Sequence, residues 1–499
     1  MTQQLPALII IIPLLTGLVI SAVMWINKKY TFPIAIVGLG AALVTSVALM
    51  ASILANGPVT YKMAGWAGPM GIVYVIDYLN APVLVVIMAV AFANLISSRR
   101  NVIEEFQGKT GAFYSLYVLF VSGVAGITAT GDAFNLYVLL EIAALTGYAL
   151  IGLGKDRAPL ASLNYLFIGT IGASFYLLGV GYLYIATGSL NMADLATIIP
   201  TLSGNSIILF ALIICMTGLF IKMALFPLHG WLPNAYSMAS PSATGVIAPL
   251  TTKVMIYAMI RLGLYVFTPE YIFNTVAIGK TIVWISVAAI VMGSLLALAQ
   301  KSLLKMLTYI IVAEVGYMVG GFWLGNQMGI TGATIHIIND AAMTLCLFMA
   351  AGAITYKIGD DSFDNMKGLF RKMPFTMIGF TAGAMAVIGI PPTCGFFSKY
   401  YLITGGLDAG HYGFVVALLF SSLVNAVLFF RIFEIAYFEP FSDGHGDDHG
   451  HGNGDTINEA PLSMLVPLLI TAASLIVLGI YSGDIVTKII QLAIPAGIA

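Results

Sequence analysis

Charge is the scarcest property of this sequence of 499 residues: Asp, Glu, Lys and Arg together make up 9% of it. Soluble domains carry roughly 25% charged residues, so a water-facing shell cannot be assembled from this chain. With 21 basic and 22 acidic residues the net charge is -1, which excludes the basic surface that nucleic acid requires. Cysteine is nearly absent. Cys215, Cys346 and Cys394 lie apart in apolar runs, without the spacing of a metal site or a disulfide frame, and read as small core hydrophobes. Cofactor signatures are missing too: there is no cysteine cluster for iron–sulfur, no glycine-rich phosphate loop and no paired histidines spaced for haem. The expectation is a chain without a cofactor or metal and not itself an enzyme, any redox chemistry being supplied by another chain. Long polar stretches are lacking except at 439–460.

What fills the sequence instead is apolar: 60% hydrophobic residues and a mean hydropathy of +0.97. About 20 apolar residues cross the hydrocarbon core as a helix. Runs of that kind lie near 5–26, 32–55, 76–98, 111–129, 132–153, 161–187, 207–236, 243–267, 275–299, 303–324, 330–356, 375–405, 411–438 and 461–482. They predict an all-α integral membrane protein of about 14 transmembrane helices. The first run, Leu5 to Ile26, has no positive leader or small-residue cleavage site and is expected to be a retained span. Basic residues orient the bundle. With both termini outside, Lys28, Lys29, Arg99, Arg100, Lys109, Lys155 and Arg157 fall in cytoplasmic loops, as do Lys301, Lys305, Lys357, Lys367, Arg371 and Lys372. Lys62, Lys280 and Lys488 fall outside.

Against this background a few ionisable residues stand inside apolar helices: Glu141, Lys222, Lys253, Glu314, Asp340, Lys399, Arg431 and Glu434, with His336 among them. Each charge near mid-membrane costs ~2.5–3.5 kcal/mol on insertion scales. Either such groups pair and lock helices together, or they line a wet path and exchange protons. Two helices are predicted to be broken. One carries Ile221-Lys-Met-Ala-Leu-Phe-Pro-Leu-His-Gly230, the other Ile388-Gly-Ile-Pro-Pro-Thr-Cys-Gly395. Proline removes a backbone donor and clashes with the turn before it, and the freed carbonyls must meet protein or water. A lysine stands beside each break, Lys222 before the first and Lys399 after the second. Paired broken helices in two halves of a chain point to an ion site. A faint repeat agrees: Tyr137-Val-Leu-Leu-Glu141 and Tyr309-Ile-Ile-Val-Ala-Glu314 each lie two helices before a break. Helices 4–8 and 9–13 then form two five-helix units, and five being odd, the units are inverted.

The stretch Pro227-Leu-His-Gly-Trp-Leu-Pro-Asn-Ala-Tyr-Ser-Met-Ala-Ser-Pro-Ser, then Thr252-Lys-Val-Met-Ile-Tyr257 and Arg261, resembles the proton-antiporter-like membrane subunit family. That family includes the large membrane-arm subunits of respiratory complex I, the A-type and D-type subunits of Mrp sodium/proton antiporters, and membrane-bound hydrogenase subunits. Gly389-Ile-Pro-Pro-Thr-Cys-Gly-Phe-Phe-Ser-Lys399 matches its second signature. The resemblance covers roughly 70–440, and the Asn-Ala-Tyr and Thr-Lys-Val wording is most like the Mrp D-type subunit and its hydrogenase-associated relatives.

The resemblance implies a role for Glu141 on the fifth helix, Lys222 on the broken seventh, Lys253 on the eighth and Lys399 on the twelfth. The eleventh helix departs from it: a His, His, Lys series at four-residue steps is replaced by His336, Asp340 and Thr344, and Glu314 stands on the tenth where relatives carry histidine or glutamine. The expected path uses Glu141, Lys222, Lys253, His336, Glu314, Asp340 and Lys399. Lys222 switches its proton as Glu141 approaches or withdraws, and Lys253 passes it towards His336 and Glu314. Asp340 has two readings, an oxygen ligand for sodium with Glu314 or an ion pair with Lys399 or Arg431; Arg431 and Glu434, three apart, satisfy each other.

The implied organisation is 1–110 for the first three helices, 111–267 and 268–438 for two proton half-channels, 439–460 for a connector, and 461–499 for the last helix and tail. The segment Phe441 to Asp455, with His445, His449 and His451, reads as a solvated cytoplasmic connector or a metal-binding tract. Expected partners are other membrane subunits of an antiporter or respiratory complex in a prokaryotic cell membrane, with protons and sodium as cargo. Two other functions fit the same residues: a structural membrane-arm subunit with a dead channel, and a secondary transporter of a small solute.

Overall fold

The computed structural model describes residues 4–276, 278–438, 458–495 and 498. The His- and Asp-rich connector lies outside them. Apolar runs flanked by polar caps dictate the helices: α1 Leu5–Val23, α2 Thr31–Asn56, α3 Asn80–Glu105, α4 Thr110–Ala129, α5 Ala133–Gly152 and α6 Ala158–Thr187. After a short helical segment at Met192–Leu202 come α7a Ser206–Lys222, α7b Leu232–Met238, α8 Pro241–Tyr265, α9 Gly279–Leu298, α10 Leu303–Trp323 and α11 Gln327–Ile358. The chain ends with α12a Pro374–Ile388, α12b Cys394–Asp408, α13 Tyr412–Phe438, α14 Leu462–Ile480 and three short helical pieces over 482–493. Among the described residues twelve helices are long and apolar enough to cross a membrane. The seventh and twelfth predicted spans are each present as two pieces with a break between them.

Side-chain caps fix where the helices start. Asp132, Ser240, Ser302 and Asn326 each accept a backbone N–H from the first turn of α5, α8, α10 and α11, which satisfies donors that a helix leaves free at its start. Such caps matter more here than in a soluble protein, because lipid offers no substitute partner.

One element departs from the expected all-helical pattern. Residues Val59–Lys62 (β1) and Val73–Ile76 (β2) form an antiparallel hairpin, with Val59 opposite Ile76. It takes the apolar residue expected to start the third span, so α3 begins at Asn80 rather than 76, and it runs on to Glu105 through Arg99 and Arg100 rather than ending at 98. The hairpin packs on α1, and Ala493 near the other end of the chain accepts a hydrogen bond from Tyr265 at the end of α8. Both ends of the described chain thus lie on the hairpin's face of the bundle, here called the terminal face.

The centre of the bundle is α8 packed on α11. These two helices are enclosed on all sides, whereas α2, α6 and α13 present Val37, Phe167 and Leu423 outward. Small residues permit the tightest approaches. A Cβ at Gly123 would lie 2.6 Å from the Ala143 nitrogen, and one at Gly293 2.7 Å from the Ala313 nitrogen, so α4 meets α5 and α9 meets α10 in the same way.

Candidate functional site

Seven ionisable residues named by the sequence fall into two groups along the core of the bundle. The first group surrounds the break in the seventh helix. α7a stops at Lys222, Ala224 turns into the left-handed region (φ 60°), and Pro227 follows with no donor to offer. The carbonyl of Ile221 is met by the Trp231 indole N–H at 3.0 Å, and Trp231 itself stacks on Tyr165 with ring centroids 4.0 Å apart. The break is thereby held shut without using Lys222. Its ammonium, 3% exposed, instead donates to the Tyr148 hydroxyl at 3.3 Å and stands 3.9 Å from Glu141 Oε1. Glu141 is a quarter exposed on the outer side of α5. A separation of 3.9 Å is attraction without a hydrogen bond, a geometry from which the lysine can move.

Trp231→Phe should keep the stacking on Tyr165 and lose the bond to the Ile221 carbonyl. The Ala224 N–H still donates to that carbonyl at 3.2 Å, so the loss is one net hydrogen bond, ~0.5–1.5 kcal/mol, and a lowered unfolding temperature of the purified protein in detergent is the expected measurement. An unchanged temperature would mean that the break is held by something other than the indole.

A cavity of about 20 Å³ lies beside the first group, lined by Lys222, Tyr165 and Thr251 among apolar residues. Such a space holds about one water molecule. Its α8 wall is Thr251, Val254 and Met255, while Lys253 stands on another side of that helix and does not line it.

The second group is built on α8, α10, α11 and α12b. Lys253 Nζ is 3.0 Å from Asp340 Oδ2, and both side chains are essentially inaccessible to solvent. Thr344 joins them. It accepts from Lys253 at 3.2 Å and donates to Asp340 Oδ1 at 2.8 Å. This corrects the expected partners of Asp340: it pairs with Lys253, and neither Lys399 nor Arg431 takes that place. The residue in place of the expected lysine, Thr344, is part of the pair and not a gap in it. Glu314, on α10, lies within hydrogen-bonding reach of Asp340 and is buried. Two carboxyl groups so placed can hold one proton between them.

His336 is one turn before Asp340 on α11. Its Nδ1 is 2.8 Å from the Ser398 hydroxyl, and its Nε2 is buried with no hydrogen-bond partner. Ser398 precedes Lys399, whose ammonium donates to the Val387 carbonyl at 2.7 Å, to the Ile388 carbonyl at 3.3 Å and to the Ser422 hydroxyl at 3.0 Å. Here the lysine itself meets the carbonyls freed where α12a ends at Gly389 (φ 92°). The two lysines beside the two breaks therefore do different things. Lys222 leaves its break to a tryptophan, and Lys399 caps its own.

Two of the charges expected inside apolar helices stand apart from both groups. Arg431 and Glu434 are exposed near the end of α13, where Arg431 lies over the Phe363 ring at 5.5 Å. Sequence reasoning also passes over Asp77. It forms a buried ion pair with Arg261 of α8, and its carboxylate accepts the backbone N–H groups of Leu79 and Asn80. The Asp-x-x-Asn capping pattern ahead of α3 is the signal that could have found it. Among the described residues no group of three or more His, Cys, Asp or Glu is arranged to hold a metal ion.

Residues 130–425, which carry nearly all of this geometry, match the family described as NADH:quinone oxidoreductase/Mrp antiporter, TM. The chain belongs to that family. Over 499 residues it is 41% identical to NADH-quinone oxidoreductase subunit N of Desulforudis audaxviator, covering 99% of each chain. It is 31% identical to the D-type subunit of the Na(+)/H(+) antiporter of Alkalihalophilus pseudofirmus over 440 residues, 87% of each. Among solved structures it is similar to a chain of the membrane-bound sulfane sulfur reductase, an archaeal respiratory membrane complex, with a TM-score of 0.88, 29% identity, and 98% of this chain and 96% of that one covered. Family members of both the complex I type and the antiporter type are thus relatives, and the complex I relative has the higher identity of the two. The chain is an antiporter-like multi-pass membrane subunit.

Proposed function

We propose that this subunit conducts protons through Glu141, Lys222, Lys253, Asp340, Glu314, His336 and Lys399, as one member of a multisubunit antiporter or respiratory complex in a prokaryotic cell membrane. The observation that carries the reading is the buried pair of Lys253 and Asp340 bridged by Thr344, with Glu314 against it. A protein that needed only to fill the membrane would place leucine at these positions, since each buried charge has to be compensated. Protons enter at the pair Glu141 and Lys222 and pass by water and hydroxyl to Lys253. The carboxyl pair Asp340 and Glu314 receives them, and His336 with its open Nε2 connects onward to Ser398 and Lys399.

Exchange for sodium belongs to the proposal through the likeness to the antiporter relative. In the second group, however, the Lys253 ammonium already occupies Asp340, so this chain's path suits protons, and sodium is assigned to another subunit. The basic residues of the face opposite the chain ends support a reading with both ends outside. Helices 4–8 and 9–13 are the two inverted half-channels.

The test is Lys222→Ala in everted membrane vesicles that hold the whole complex, with assembly checked on a native gel. Proton flux is expected to fall by about 100-fold, in line with what a positioned proton-transfer group contributes. An assembled complex with undiminished flux would make the chain a scaffold.

A further inference from the structure

The terminal face carries a cavity of about 810 Å³ between the hairpin, the 191–194 turn, the end of α8 and the 492–495 tail. Its charged lining residues are Lys62, Asp77, Asp194 and Arg261. None of the groups in the conduction path opens into it directly. We propose that this cavity is an aqueous vestibule through which Lys253 exchanges protons with the terminal side of the membrane, and that the Asp77–Arg261 pair is its gate. The proposal rests on the proton-conducting reading above and assigns that path an exit.

Three observations lead there. First, Lys253, Tyr257 and Arg261 lie at four-residue steps on α8, one stripe on one face of the helix, rising about 6 Å per step at 1.5 Å per residue. The stripe starts at the central pair and ends at the cavity. Second, Tyr257 is buried between them. Its hydroxyl donates to the Thr128 carbonyl at 2.8 Å and faces Asp77, Arg261 and Asn80. Third, the gate is charged where it need not be. Arg261 is 4% exposed, its Nε is buried without a hydrogen-bond partner, and its guanidinium lies 4.4 Å over the Tyr265 ring. A hairpin that needed only anchoring would be held at less expense by apolar packing.

The transfer balances within these groups. The Lys253 ammonium gives up a proton and is left as the neutral amine, the Tyr257 hydroxyl takes one and passes one, and the Asp77 carboxylate becomes the carboxylic acid. Arginine keeps its protons, so Asp77 is the carrier and Arg261 the latch. Protonated Asp77 no longer attracts Arg261, which opens the pair to cavity water; the proton leaves, and the pair closes again.

The measurement is proton flux in vesicles of the assembled complex, with two independent changes. Asp77→Asn keeps an oxygen for the Leu79 and Asn80 N–H groups, sets an amide NH2 in place of the oxygen that Arg261 meets, and cannot carry the proton. Flux should fall by about tenfold or more, with Asp77→Glu restoring it, a smaller loss than a dry transfer group would show because cavity water takes part. Ala193→Cys places a thiol on the exposed rim of the cavity, while the native Cys215, Cys346 and Cys394 are all buried. A membrane-impermeant cationic thiosulfonate, added to each side in turn, should lower flux only from the terminal side, compared before and after addition in one preparation.

Flux within twofold of wild type in Asp77→Asn and in the blocked Ala193→Cys would overturn the vestibule. If Asp77→Asn does not assemble, the Ala193→Cys result decides alone. Lys222→Ala separates the two claims: flux lost there but kept in both cavity variants sinks only the exit, and flux kept in all three sinks the conduction reading itself.

Discussion

Replacing Lys253 by methionine is expected to destabilise the protein by about 3–5 kcal/mol, the cost of leaving a buried charge without its partner. Asp340 is inaccessible to solvent, and once the ammonium is gone its carboxylate faces the Thr344 hydroxyl, Glu314 and His336, none of them a full cation partner. The complex should assemble poorly and conduct nothing. The double variant Lys253→Met with Asp340→Leu removes both charges and fills the space. Replacing a buried ion pair with apolar residues of similar volume is often neutral or stabilising, so assembly should return. Flux should not. Recovery of both would show that the pair only holds α8 to α11, and that proton transfer takes another route. Thermal unfolding of the detergent-solubilised complex and vesicle flux, measured on the same preparations, separate the two outcomes.

That pair also shows what one sequence can and cannot carry. The helices are legible because apolar runs with polar caps are read locally. Asp132, Ser302 and Asn326 stand at the starts of α5, α10 and α11 within a few residues of the predicted bounds. The two breaks are legible for the same reason, since Pro227 and Pro391-Pro392 act on their own turns. The hairpin is not, because Val73-Tyr-Val-Ile is as apolar as the span it precedes, and hydropathy alone does not distinguish a short strand from a helix start. Partner choice is a different matter. Lys253 and Asp340 are 87 residues apart, and which of several buried acids meets which base depends on how α8 and α11 are rotated about their axes. Composition and spacing leave that rotation free, so they point Asp340 to the wrong bases. Arg431 and Glu434 are exposed on α13 and not among the buried charges, because an apolar run says nothing of which face of the helix a charge occupies. The resemblance of Glu141 to Glu314 is also loosened by geometry. Gly123 meets Ala143 as Gly293 meets Ala313, yet Glu141 lies two residues before the first of these alanines and Glu314 one residue after the second.

Lys399 gives the sharpest separation of a structural role from a conducting one, because it has both. Its ammonium meets the two carbonyls that the broken helix leaves free, at 2.7 and 3.3 Å, and lies 5.3 Å over the Tyr317 ring. Lys399→Met should cost about 1.5–3 kcal/mol for each charged hydrogen bond lost, lowering the unfolding temperature and the flux together. That result alone decides nothing. Lys399→Arg does, because a guanidinium donates to the same carbonyls and stays protonated at every working pH. The arginine variant is expected to recover the unfolding temperature lost in Lys399→Met except for about 1–3 kcal/mol, the strain of a larger head group in a buried site. Flux should remain as low as in Lys399→Met, since a group that never releases its proton blocks a path that runs through it. If arginine restores flux along with stability, Lys399 is a fixed cap of the twelfth helix, and the path must leave the second group before reaching it, through His336 or towards the terminal face along α8.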